Sequence, residues 1–73
     1  MINTYILQEL FEKKNGINGF TISRHSGTCR MLAYKTGASI EDVIDSLRYS
    51  ESRCWITVTS IQDNENYYSV SKE

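Results

Sequence analysis

The chain is 73 residues long, with 8 Lys and Arg against 9 Asp and Glu, a formal net charge of −1, and 40% hydrophobic residues. That length gives one domain, close to the lower limit for an unstapled core. The composition excludes a disordered or collagen-like chain, and no apolar run approaches the roughly 20 residues needed to cross a bilayer.

The N-terminus has no basic flank leading into an apolar core, so the expectation is a cytoplasmic chain without a secretory leader or membrane partner. Cys29 and Cys54 stand alone, with no CxxC or His/Cys cluster. They are expected to be reduced thiols and not metal ligands. Charge is unevenly spread. From Lys13 to Lys35 the chain has Lys13, Lys14, Arg24, Arg30 and Lys35 and no acid, whereas Glu41, Asp42, Asp45, Asp63 and Glu65 follow. A strongly basic domain would point directly to nucleic acid; this chain has a basic half and an acidic half.

In chain order, residues 3–14 are predicted to form the first helix. Asn3 is its N-cap, Ile6, Leu7, Leu10 and Phe11 its apolar stripe, and Tyr5 the edge of that stripe. NGING at 15–19 holds two Asn-Gly turn signals. Phe20-Thr21-Ile22 reads as a short strand with Phe20 and Ile22 on one face. Residues 23–27 read as a loop, with Ser26 or Thr28 capping the second helix.

Residues 28–47, TCRMLAYKTGASIEDVIDSL, read as two helices joined by a tight turn. Gly37 sits where a helix would end in the left-handed conformation. Ser39 is a good N-cap, and Glu41 and Asp42 suit the positive end of the helix dipole. Val43, Ile44 and Leu47 recur at three- and four-residue spacing as a buried stripe. The helix is expected to end near Tyr49, followed by a polar link over 50–53. CWITVTSIQ at 54–62, the turn cluster DNEN at 63–66 and Tyr67–Ser71 then predict a β-hairpin. Ile56 and Val58 should face the core opposite Tyr68 and Val70, Trp55 should lid it, and Tyr67 should point outward.

This run, with the order helix, strand, helix, turn, helix, hairpin, resembles the winged helix-turn-helix superfamily. It is most similar to DNA-binding domains of the gluconate-repressor (GntR) type, whose pattern is S-x-R-x-L-A-x-x-x-G-V-S-x-x-T-V-x-x-A-L. Thr28 takes the first serine position, Arg30 the arginine and Leu32-Ala33 the LA pair. Gly37-Ala38-Ser39 takes the turn, Val43 the valine and Leu47 the final leucine. The match covers about twenty residues, mostly core and turn positions, which speak for fold more than for function.

The resemblance implies a small α+β winged helix-turn-helix in a single domain, 1–73, with three helices, a short strand and a C-terminal hairpin wing. It also implies that Arg30 lies near the DNA backbone. Arg24, His25 and Lys35 join it as candidate phosphate contacts. Ser39, Ile40, Glu41, Asp42 and Asp45 form the candidate recognition helix, and Asn64, Asn66 and Tyr67 the candidate wing contacts.

The chain departs from the family at the surface that would read bases. Three carboxylates on a short helix would face two rows of phosphates, although one acid can accept from cytosine N4. Asp63 and Glu65 stand at the wing tip, where basic residues are expected. His25 has no triad companion and Cys29 no activating base, so neither an enzyme nor a cofactor or metal is expected. The first reading is a small regulator that binds double-stranded DNA as a monomer or homodimer. The alternative is an interaction module or inhibitor of phage or plasmid type, whose acidic helix and wing bind a basic protein.

Overall fold

A computed structural model describes residues 1–13 and 17–71. Its elements are α1 (Thr4–Glu12), β1 (Asn18–Phe20), α2 (Gly27–Thr36), α3 (Ile40–Ser52), β2 (Ile56–Gln62) and β3 (Glu65–Val70). Three helices pack beside a three-stranded antiparallel sheet of order β1-β3-β2. This is a small α+β domain, and no described helix is long and apolar enough to cross a membrane.

The first helix starts where the sequence places its cap: the Asn3 side chain accepts from the Tyr5 amide at 2.9 Å. Ile6 and Leu10 are fully buried, with Phe11 packed half-buried against the same core. The helix closes at Lys13. The first Asn-Gly signal and Lys14 lie outside the described residues. The second, Asn18-Gly19, is not a turn: it forms β1, with Gly19 at φ 64. The short strand therefore lies two residues earlier than its apolar pattern suggests. Phe20 and Ile22 are both buried, but backbone pairing with β3 is made at Asn18 and Phe20. Burial and strand pairing are separate requirements, and the hydrophobic pattern reports only the first.

Ser26, rather than Thr28, caps α2, accepting from the Cys29 amide at 3.3 Å. Cys29 and Leu32 face the core. Gly37 ends α2 in the left-handed conformation at φ 70, and Ser39 caps α3 by accepting from Asp42 N at 3.1 Å. A Cβ added at Gly37 would meet nothing within 4 Å, so the penalty of a side chain is conformational alone. Gly37→Ala is accordingly expected to lower stability by about 1 kcal/mol in urea denaturation, with an unchanged circular dichroism spectrum.

The third helix runs three residues past its expected end, to Ser52. Ser50, expected to open a polar link, stays helical because it and Ser46 are buried and bonded. Ser50 Oγ donates to the Ser46 carbonyl at 2.9 Å, and Ser46 Oγ accepts from Asn3 N at 2.9 Å. Small hydroxyl side chains let α1 approach α3 closely, and bonding removes the cost of burying them. Cys54, at φ 63, then turns the chain into the sheet, and Trp55 N bonds back to Ser50 O at 2.9 Å. Trp55 packs edge-on against both Phe11 and Tyr49, with ring centroids 5.5 Å apart in each case. It closes one end of the core, as its place before the hairpin suggests.

The hairpin turns at Asp63 and Asn64 alone, both with positive φ, a two-residue turn that these side chains tolerate. Glu65 and Asn66, expected in the turn, already belong to β3 and pair with Gln62 and Ile61. Ile56, Tyr68 and Val70 are buried as expected. Val58 is not: it stays 44% exposed, because the hairpin extends past the helices that would cover it. A register shift between Val58 and Ser60 sets Val58 opposite Tyr68 and Ser60 opposite Tyr67. Thr59 is thus an extra residue, a β-bulge, which a plain alternation does not reveal.

Candidate functional site

The exposed surface around α3 gathers most of the candidate residues, and the three carboxylates on this helix go to different partners. Arg24, in the loop before α2, forms an ion pair with Glu41. Asp42 accepts from the Met1 ammonium at 3.2 Å, and Asp45 binds the same group. The hydrogen bonds it donates, to Asp45 first and Asp42 second, hold that ammonium above its ordinary pKa of 8.0. The acids do not form one continuous repelling face. Glu41 leans toward the loop before α2, and the two aspartates lean toward the start of α1.

Arg24, His25 and Arg30 line one open concavity with Ala33 and Ile40. This places the basic loop and the start of α2 against the first turn of α3. Arg30 is exposed and makes no ion pair among the described residues. Lys35 does not join this group. It faces Glu9 of α1, with Nζ 3.9 Å from the carboxylate, in a separate depression lined by Tyr5, Gln8 and Glu12. Helical geometry explains the split, since Arg30 and Lys35 are five residues apart and point about 140° from each other around α2.

Farther along α3, a polar concavity is lined by Thr21, Ile22, Arg48, Asn64, Glu65, Asn66 and Tyr68. It joins the hairpin tip to the middle of α3. Arg48 is held by Glu51 at 3.3 Å, and Tyr68 donates its hydroxyl to the same carboxylate at 2.9 Å. Asn64 and Asn66 are exposed here, while Tyr67 is half-buried on the opposite sheet face, paired with Ser60. Ser39 is spent as the α3 cap, and Ile40 packs half-buried against the core.

Two residues escaped the sequence reading. Arg48 lies seven residues after Glu41, two helical turns along the same exposed stripe, and that spacing could have identified it. Tyr34 is 89% exposed on α2, one turn from Arg30. No local sequence signal marks it as exposed, and only the fold puts it outside. Among the described residues no three His, Cys, Asp or Glu side chains gather as a metal site. Cys29 is buried, its thiol donating to the Thr21 carbonyl at 3.4 Å, and Cys54 is exposed; both are free. Comparisons with protein-family models, curated proteins and solved structures gave no match.

Proposed function

We propose that the chain is a small, non-enzymatic regulator with a winged helix-turn-helix fold that binds duplex DNA. One observation carries this reading: two polar concavities that both bear arginine lie in succession along α3. Arg24, His25 and Arg30 stand at its N-terminal end, and Arg48 with Asn64 and Asn66 stands beside its middle. The order α1-β1-α2-α3-β2-β3 and the left-handed Gly37 between α2 and α3 support the fold assignment.

In this reading the loop before α2 and the start of α2 cross the sugar-phosphate backbone. Arg24, His25 and Arg30 take phosphate contacts, which supply most of the affinity. The first turns of α3, Ser39 to Asp45, meet the base edges, and Asn64 and Asn66 of the wing reach the flanking groove or backbone. The acidic residues of α3 are compatible with a nearby duplex because each has a cationic partner within the chain. Glu41 must release Arg24 for that arginine to bind phosphate, so it acts as an internal competitor for the same charge. Lys35, turned toward α1, lies outside the surface.

A fluorescence titration against a labelled mixed-sequence duplex at two salt concentrations tests the proposal. Binding at low salt that falls steeply as salt rises is the expected result, and no detectable binding at low salt overturns it.

A second reading rests on the Arg24–Glu41 pair itself. It cancels one positive charge, and with Asp63 and Glu65 at the hairpin tip it leaves an acidic rim. Such a rim suits a basic protein partner, and the acidic residues of α3 and the wing would then be the contact groups.

A further inference from the structure

The strand β2 is an edge of the sheet, since the order is β1-β3-β2. Its sequence, ITVTSIQ, has no charge and no proline, and all of it beyond Ile56 is exposed. Natural edges of this length are usually blunted by lysine, proline, a bulge or a covering element. Among the described residues β2 has the bulge at Thr59 but no lysine or proline, and its residues beyond Ile56 are uncovered. The other edge, β1, is three residues long.

The bulge at Thr59 has an effect on which side chains share a face. Ile56, Val58 and Ile61 pair with Val70, Tyr68 and Asn66, which alternate along β3 and so lie on one side of the sheet. Without the extra residue Ile61 would point to the other side. Ile56 is buried, but Val58 and Ile61 are 44% and 68% exposed, an apolar stripe that continues the core out along the hairpin.

The charges at the two ends of this strand are complementary. Arg53, at the hairpin base, lies over the Trp55 ring at 5.7 Å, and Asp63 and Glu65 sit at the tip. None of the three makes an ion pair among the described residues.

From these features we infer that β2 is a self-association surface whose partner is a second copy of this chain. The two β2 strands pair antiparallel about a two-fold axis and form one six-stranded sheet. Antiparallel pairing sets Val58 of one copy across from Ile61 of the other, and Ile61 across from Val58. The same register sets Asp63 of one copy across from Ile56 of the other, toward the strand end where Arg53 stands. An uncharged strand with opposite charges at its two ends is complementary to itself only in this antiparallel sense, which is the isologous contact a two-fold dimer requires. The backbone supplies hydrogen bonds along the edge, and the apolar pairs and end charges fix the register.

The experiment is sedimentation equilibrium of the protein without DNA, up to hundreds of micromolar. A monomer–dimer equilibrium is expected. Ile61→Lys, at an exposed position that the monomer fold does not need, should weaken the dimer by about tenfold or more by placing a like charge at both symmetric sites. Arg53→Glu should weaken it by about tenfold, and combining it with Asp63→Arg should restore most of the loss. Circular dichroism confirms that each variant is folded. A wild type that stays monomeric throughout, or a dimer indifferent to both Ile61→Lys and Arg53→Glu, overturns the inference. Because DNA is absent, either result is independent of whether the chain binds a duplex.

Discussion

Raising salt about fourfold, from low to near-physiological strength, is expected to weaken binding to duplex DNA by about fortyfold. The figure follows from the site. In the proposed mode Arg24 and Arg30, with Arg48 beside the wing, would make roughly three charged phosphate contacts, each releasing counterion with a slope near −0.9 in log affinity against log salt. Lys35 is excluded from the sum because it faces Glu9. Arg30→Ala should lower the slope by about 1 and weaken binding alike for all sequences, since a phosphate contact carries no base information.

Glu41→Gln gives the sharper test. It removes the group that holds Arg24. The pair is exposed and worth at most about 1 kcal/mol, so affinity for duplex DNA should rise by about two- to fivefold. A basic protein partner would respond in the opposite direction, losing an anionic contact. The sign of the Glu41→Gln effect therefore separates the two readings, measured by the same titration against duplex and against a polycationic peptide.

The second large effect is on stability. Leu47→Ala is expected to remove about 3 kcal/mol, read from urea denaturation. Leu47 is fully buried where α3 meets the core shared with Leu10, Leu32 and Ile56. Truncation there loses the transfer energy of the removed methyls and leaves a cavity that the surrounding elements fill only in part. A 73-residue domain has a total stability of roughly 4–10 kcal/mol. The variant should therefore be partly unfolded at moderate urea concentrations where the wild type is intact. Arg30→Ala and Glu41→Gln, at exposed positions, should stay within about 0.5 kcal/mol of wild type. A loss below about 1 kcal/mol for Leu47→Ala would contradict the packing of α3 described here.

Much of the α2–turn–α3 run was legible from residues alone, because its determinants are local. A left-handed glycine at 37, a serine cap at 39 and apolar residues at helical spacing act within a few bonds of where they stand. The same holds for Asn3 and for the Asp63-Asn64 turn. Each of these positions behaves in the fold as short-range chemistry requires.

Other features depend on distant neighbours and could not be read locally. The serines at 46 and 50 look polar in sequence, yet α1 packs close enough to bury them, so α3 runs on to Ser52. Val58 has the pattern of a core residue but no helix reaches it, and the bulge at Thr59 decides where Ile61 points. The partners of the charged residues are also set by the fold. In sequence, Arg24, Arg30 and Lys35 form a basic half and Glu41, Asp42 and Asp45 an acidic one. Folding pairs Arg24 with Glu41, turns Lys35 to Glu9 and brings the Met1 ammonium to the two aspartates. Sequence by itself determined where the helices begin, the caps at Asn3 and Ser39 and the left-handed turn at Gly37, because dihedral preference and periodicity are properties of short stretches. Only the tertiary structure decided which charges remain free on the surface, because Coulombic partners are chosen by distance in space and not by separation along the chain.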